Sequence, residues 1–187
     1  MKLILASKSP RRKVLLKKIV SKFDIVESRV KEVDWKDKTY SDNAMWNAYR
    51  KAKKVSEQFP DRLILGADTI VILKAKILGK PKNLKDAKRM LASLSGQAHE
   101  VITGVCLFQK DQNIRVDFYD MTWVKMKKLS DNEIDAYIKK VYTLDKAGAY
   151  GIQEEPKIIE KIRGSFSNVM GLPLEKLRKE LKLIKIC

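Results

Sequence analysis

One aspartate stands inside an otherwise apolar run, Leu63-Ile64-Leu65-Gly66-Ala67-Asp68-Thr69-Ile70-Val71-Ile72-Leu73. A carboxylate in such a strand is costly unless it is paired, binds a metal or faces a cleft. Gly66, two residues before it, would let a ligand or another backbone come close. The plain alternative is a bulge whose aspartate accepts from nearby backbone N–H groups. Glu32, in Val30-Lys31-Glu32-Val33-Asp34, is a second carboxylate of interest; by itself it also fits a solvated loop residue. Two such carboxylates can hold a divalent cation and position or deprotonate a water, which is the chemistry of phosphate-ester hydrolysis.

A second set of residues suits an anion. Ser7-Lys8-Ser9-Pro10-Arg11-Arg12 directly follows the apolar run Leu3 to Ala6. Ser9 is a good N-cap, and Pro10 suits the first helical position, where no N–H is needed. Two arginines in a first turn oppose the helix macrodipole. A phosphate held by Ser7, Ser9, Arg11, Arg12 and free backbone N–H groups would explain them; an ordinary capped helix with solvated arginines is the competing reading. Lys51, near the edge of a helix's apolar face, and Lys80, in Leu78-Gly79-Lys80-Pro81, could each meet a phosphate as a point charge. In Asp145-Lys146-Ala147-Gly148-Ala149-Tyr150-Gly151-Ile152-Gln153, the glycines permit turns and Gln153 offers both a donor and an acceptor for a base edge. A tight connection around a buried tyrosine fits the same loop.

Composition narrows the class. The chain has 187 residues, 44% hydrophobic and 34% charged, which is globular and long enough for a real core. No apolar stretch approaches the ~18 residues of a membrane helix, and the N-terminus has no signal-peptide layout, so a cytoplasmic protein without membrane contact is expected. Cys106 and Cys187 make no disulfide framework or zinc site, and His99 is the only histidine. Any metal would be a hard ion on carboxylates and substrate phosphates. The net charge of +17 should attract anions. The lysines are spread along the chain, so nucleic acid is not the expected partner. A homodimer is left open.

Alternating patterns predict the elements that carry these residues. Strands are expected at Leu3 to Ala6, Phe23 to Val26, Leu63 to Leu73 and Ile77-Leu78. A hairpin of Glu100 to Phe108 and Ile114 to Met126 should turn near Asp111 to Asn113. Two short strands are expected around Ile158 to Ile162 and Phe166 to Met170. Helices should follow Ser9, Ser41 (with Ala44, Met45, Ala48, Ala52 and Val55 inward) and Asn83 (with Leu84, Ala87, Met90, Leu91 and Leu94 inward). Two more should follow the Ser130–Glu133 capping box and Pro173. The sum is an α/β fold with a mixed sheet and flanking helices, in two lobes around a cleft.

Seven motifs in order resemble the Maf family of nucleotide pyrophosphatases. They are Ser7-Lys8-Ser9-Pro10-Arg11-Arg12, Gly66-Ala67-Asp68-Thr69, Lys80-Pro81, Leu94-Ser95-Gly96-Gln97-Ala98-His99, Thr103-Gly104-Val105, Asp145-Lys146-Ala147-Gly148 and Asn168-Val169-Met170-Gly171-Leu172-Pro173. The resemblance spans essentially all of residues 1–187, as a single Maf-like domain. It implies a fold like that of inosine-triphosphate pyrophosphatases. It also implies hydrolysis of a nucleoside triphosphate to the monophosphate and pyrophosphate with a divalent metal, Mg or Mn. The family's catalytic proton acceptor falls on Asp68 and its specificity positions on Arg11, Thr69 and Gln153, while Glu32, Lys51 and Lys80 match further cleft positions.

Ala149-Tyr150-Gly151-Ile152-Gln153 resembles the branch acting on dTTP and UTP. The chain departs from the family pattern at Glu154-Glu155-Pro156, where a glycine-rich continuation is expected, and at the basic Arg29-Val30-Lys31. On this reading Asp68 and Glu32 hold the metal and orient water. Ser7, Ser9, Arg11, Arg12, Lys51 and Lys80 hold the triphosphate, and Thr69 and Gln153 read the base. The competing functions are the same chemistry on a modified purine nucleotide such as 7-methyl-GTP, and a nucleic-acid-binding regulatory protein.

Overall fold

The structure is a computed structural model that describes residues 2–184; Cys187 lies outside the described residues. Seven strands form one mixed sheet: β1 (Leu3–Leu5), β2 (Phe23–Ile25), β3 (Leu63–Leu73), β4 (Lys76–Leu78), β5 (Ala98–Gln109), β6 (Ile114–Met126) and β7 (Ile159–Arg163). Their order is β2-β1-β3-β5-β6-β7, with β4 paired to β3. β1 runs parallel to β2 and β3, in registers that set Leu3 opposite Phe23 and Leu63. β4 and β7 pair antiparallel with β3 and β6. The helices are α1 (Pro10–Lys17), α2 (Tyr40–Ser56), α3 (Leu84–Leu94), α4 (Asp131–Lys140), α5 (Phe166–Val169) and α6 (Leu174–Leu183). The mixed sheet with flanking helices is the architecture expected from the sequence.

Local chemistry explains most boundaries. Lys74 and Ala75 take left-handed conformations to turn β3 into β4, and Asn113 does so between β5 and β6. Asn83 caps α3 through the Asp86 N–H, and Ser130 with Glu133 closes the expected capping box of α4. Three expectations are corrected. α2 is capped by Thr39, whose hydroxyl accepts from the Asp42 N–H, so the helix begins before Ser41. Leu84, at the first position of α3, faces solvent while Ala87, Met90, Leu91 and Leu94 are buried. The segment expected as a strand at Phe166 to Met170 is the short helix α5. There Ser165 caps through the Asn168 N–H, and the Asn168 amide donates to Val101 O and Thr122 Oγ1. Those side-chain bonds substitute for a strand's ladder.

The chain divides into two compact units. The first comprises the described parts of Met1–Thr69, Thr103–Asp120 and Gly171–Cys187; the second is Ile70–Ile102 with Met121–Met170. In the first, the α2 stripe Ala48, Ala52 and Val55 packs with Ile4, Ala6, Ile64 and Cys106. In the second, α3 and α4 pack with Val71, Val101, Val124, Met126, Tyr150 and Ile152.

Two glycines let α2 sit closer to the sheet than any side chain would allow. A Cβ on Gly66 would lie 2.1 Å from Ala48 O, and one on Gly104 would lie 2.3 Å from Met45 N and 2.4 Å from Ala44 C. The obstacles are backbone atoms of a helix and cannot rotate away. Gly104→Ala is therefore expected to destabilise the fold by at least about 1–3 kcal/mol, the usual range for overpacking. Gly79→Ala is its control, because a Cβ there meets nothing within 4 Å. Urea-unfolding midpoints of the two variants should differ clearly; equal midpoints would mean α2 does not rest on Gly104.

Candidate active site

The close seat of α2 decides what Lys51 can reach. Gly66 and Asp68 lie two apart on β3 and so share a face. Over Gly66 passes α2, and the α2 residue Lys51 extends its ammonium to Asp68 Oδ1 at 2.6 Å and to Glu32 Oε1 at 2.8 Å. It also donates to Ala67 O at 3.4 Å. The Lys51 and Asp68 side chains are 8% and 4% exposed, whereas that of Glu32 is 43% exposed. One cation thus gathers two carboxylates, one buried and one open to solvent.

Glu32 is delivered by a loop that α2 grips. The Asn47 amide closes a two-way bond with the Val33 backbone, accepting from its N–H at 3.0 Å and donating to its O at 2.8 Å. Asn43 donates to Asp34 Oδ1, and Arg50 to Lys31 O. Asn43, Asn47 and Lys51 are spaced four apart, so they form one polar stripe on the helix. Asn43 and Asn47 are not among the residues that the sequence analysis selects. A signal for them exists, because asparagine repeated at helical spacing beside an alanine stripe is polar surface that must find partners.

Arg12 forms a bracket in the same unit. Its guanidinium donates to Gly171 O at 2.8 Å, Thr69 Oγ1 at 2.9 Å and Ser7 Oγ at 3.3 Å. Thr69 Oγ1 is also 3.0 Å from Thr103 Oγ1. Arg12 therefore ties the residues after β1, the middle of β3 and the start of the α6 segment together. Ser9 caps α1 in extended conformation without a side-chain bond to the helix, and its N–H donates to Ser7 Oγ at 3.2 Å. Pro10 occupies the first turn with Arg11, and no acidic residue is there.

The charges interact through this geometry. Burial raises the Asp68 carboxyl above its ordinary value, and the Glu32 charge adds to the rise, while Lys51 and Arg12 hold it in check. Burial lowers the Arg12 guanidinium, against the pull of Asp68 and Glu32, yet an arginine stays protonated. Asp68 is thus a carboxylate with added basicity. Among the described residues, no cluster of three or more His, Cys, Asp or Glu side chains could alone hold a metal. Asp68 and Glu32 are hard oxygen donors, and a divalent ion held by them would need the rest of its oxygens from phosphates and water.

The remaining sequence-chosen residues belong to the second unit. Lys80 is exposed after β4, next to Gly79, whose O accepts from the Gly148 N–H. Gln153 ends a loop fastened from several sides. Tyr150 is buried with its hydroxyl 2.7 Å from His99 Nε2, and the Gly151 N–H donates to Tyr137 Oη at 2.9 Å. Lys146 is buried and bonds to Tyr142 O, to Asp145 Oδ1 at 2.7 Å and to Glu154 Oε1 at 3.2 Å. In the sequence His99 counts only as a missing metal anchor, and neither Lys146 nor Glu154 stands out as functional.

A buried carboxylate, a neighbouring carboxylate and a lysine between them thus share one unit with a helix start that carries no acidic residue. The Maf-like protein family model matches residues 2–184, and the chain belongs to that family. It is 47% identical to a dTTP/UTP pyrophosphatase of Bacillus cereus (strain ATCC 10987 / NRS 248) over 99% of this chain and 91% of that protein. It is 46% identical to a dTTP/UTP pyrophosphatase of Bacillus anthracis over 99% of this chain and 96% of the relative. Among solved structures, the Staphylococcus aureus Ham1 protein matches with a TM-score of 0.57 at 13% identity, covering 99% of this chain and all of that one. A HAM1 protein from Coxiella burnetii matches with a TM-score of 0.51, also at 13% identity, over 98% and 99%. These two likenesses are of fold alone. No helix among the described residues is long and apolar enough to cross a membrane.

Removing one partner of a buried ion pair leaves the other uncompensated. Lys51→Met is expected to cost about 3–5 kcal/mol of stability at pH 7. The loss should shrink in acid, because without Lys51 the Asp68 carboxyl rises further and is neutralised by protonation. Denaturant unfolding at pH 7 and pH 5 checks this; a loss equal at both values would refute it.

His99 supplies a second pH test. Burial pulls its imidazole from 6.5 to about 4. Between those values the unfolded chain takes up a proton that the folded chain refuses. Stability contributed by the neutral His99 is therefore present above pH 6.5 and lost as pH falls toward 4, by about 3 kcal/mol. His99→Gln should flatten the stability profile in that window relative to wild type, measured by urea unfolding; parallel profiles would count against it.

Proposed function

We propose that this protein is a cytoplasmic nucleoside triphosphate pyrophosphatase that hydrolyses dTTP and UTP to the monophosphate and pyrophosphate. The observation that carries the reading is the buried Asp68, raised in basicity and joined to Glu32 through Lys51. The dTTP/UTP pyrophosphatase relatives, similar over nearly the whole chain, support the substrate.

Asp68 accepts the proton of a water whose oxygen attacks the α-phosphorus. The bond from that phosphorus to the bridging oxygen breaks, and pyrophosphate leaves with the electron pair. Lys51 holds Asp68 in line with Glu32 and opposes the rise that burial imposes on its carboxyl. Arg12 holds Ser7, Thr69 and the Gly171 carbonyl in fixed relation, so it acts first as a positioning residue. Arg11, Ser7, Ser9 and the first-turn N–H groups of α1 are the phosphate-holding groups of the first unit. The family resemblance assigns a phosphate-ligand role to Lys80 and a base-reading role to Gln153. Asp68 and Glu32 would hold a Mg or Mn ion, which supplies charge neutralisation for the leaving pyrophosphate.

The decisive assay is release of pyrophosphate, read as phosphate with added inorganic pyrophosphatase, over UTP, dTTP, CTP, dCTP, GTP and 7-methyl-GTP. UTP and dTTP should lead; preference for 7-methyl-GTP, or no turnover, would overturn the reading. Asp68→Asn should lower kcat roughly 10²–10⁴-fold in a folded protein, the usual worth of a general base. In wild type, kcat/KM should fall in acid as the Asp68 carboxylate takes up a proton. The amide of the Asp68→Asn variant cannot titrate, so its residual activity should lose this acid limb; an unchanged limb would assign it to another group.

A further inference from the structure

The departure from the family pattern at Glu154 has a partner on each side. Glu154 Oε1 accepts from the Lys146 ammonium at 3.2 Å and from the Gln153 side-chain amide at 3.3 Å. A carboxylate can face only the donor end of an amide. Glu154 therefore decides which way the Gln153 amide is turned: Nε2 toward the carboxylate, Oε1 away from it. Gln153 Oε1 is buried and has no hydrogen-bond partner among the described residues. An orphan acceptor of this kind costs free energy until a donor arrives.

Lys146 keeps the orienting carboxylate in place. It is buried, and it reaches Tyr142 O and Asp145 Oδ1 as well as Glu154. Gly151 makes room for the arrangement: a Cβ there would lie 2.9 Å from both Lys146 Cε and Glu154 Oε2. Lysine, carboxylate and amide thus form a relay of fixed polarity that ends in an unsatisfied oxygen.

We propose that the Lys146–Glu154–Gln153 relay fixes Gln153 Oε1 as an acceptor and thereby selects bases that present a ring N–H. Uracil and thymine offer that donor at N3. Cytosine presents an acceptor at the same position, so two lone pairs would meet across the contact. The second hydrogen of Nε2 remains for a base carbonyl. Glu154 is a positioning residue, acting through Gln153. This rests on the reading of Gln153 as the base reader in the proposed function.

The test compares kcat/KM for UTP and CTP in wild type, Glu154→Gln and Gln153→Ala. Glu154 is on the surface, so its amide variant should fold, which thermal unfolding verifies; Lys146 is buried and is left intact. The amide introduced by Glu154→Gln can offer either of its ends, so Gln153 is free to turn over. Glu154→Gln should lower the UTP-to-CTP ratio roughly tenfold, about one hydrogen bond's worth. The change should come through KM for UTP and improved use of CTP, with inhibition by pyrophosphate unchanged. If Gln153→Ala lowers the ratio and Glu154→Gln does not, the relay is wrong and the base reader stands. If neither variant moves the ratio, Gln153 does not read the base and the relay falls with it. If both lower the ratio while pyrophosphate inhibition holds, the relay is supported.

Discussion

The first unit is organised around one buried ammonium. Lys51 sits between Asp68, inside an apolar strand, and Glu32, on an open loop. A buried ion pair is weak support for stability, since desolvating two charges offsets most of their attraction. Its value is positional. Without Lys51 the Asp68 carboxyl would rise further, because burial would lose its main opponent. With Lys51 too close a match, the carboxylate would be a poor base. The second carboxylate prevents that, because Glu32 shares the same cation and raises Asp68 by its own charge. Basicity at Asp68 is thus set by a balance of three groups and one desolvation cost.

That balance depends on backbone packing laid down elsewhere. Gly66 and Gly104 bring α2 against the strands at backbone distance, and only then does the lysine stem reach across to the carboxylate two residues along β3. The same helix grips the Glu32 loop with Asn43, Asn47 and Arg50. One element therefore fixes both carboxylates, and any shift of α2 would move them together. Arg12 does the equivalent work on the other segments, joining Ser7, Thr69 and Gly171 through the fork of one side chain.

Much of this is legible in the sequence where a single residue violates its surroundings. Asp68 in an apolar strand, Pro10 after Ser9 and the Ser130–Glu133 box each carry local information, and the corresponding elements form as expected. What the sequence does not disclose is pairing. Lys51 and Lys80 look alike in a lysine-rich chain; only the close seat of α2 separates a buried bridging cation from an exposed one. Gly66 offers room for a ligand or a backbone, and it is a backbone that fills it. Phe166 to Met170 has strand-like residue types, but Ser165 and Asn168 bond locally and across to Thr122, and that side-chain chemistry outweighs propensity.

The charge balance accounts for how a polyanion can approach acids at all. The chain carries a formal +17, which favours encounter with a triphosphate over the whole surface. Long-range attraction alone would not suffice, because screening confines each surface lysine to about a Debye length. Close in, two carboxylates would repel the phosphates. Lys51 and Arg12 offset them within the same unit: Asp68 and Glu32 contribute two negative charges, these two side chains two positive ones. The charges of these four side chains therefore balance one another before any metal or substrate binds. Neutrality here does not waste the charges, since each of the four also fixes the place of another group. Substituting any one changes the local charge and the geometry together, so their effects on stability should be strongly non-additive.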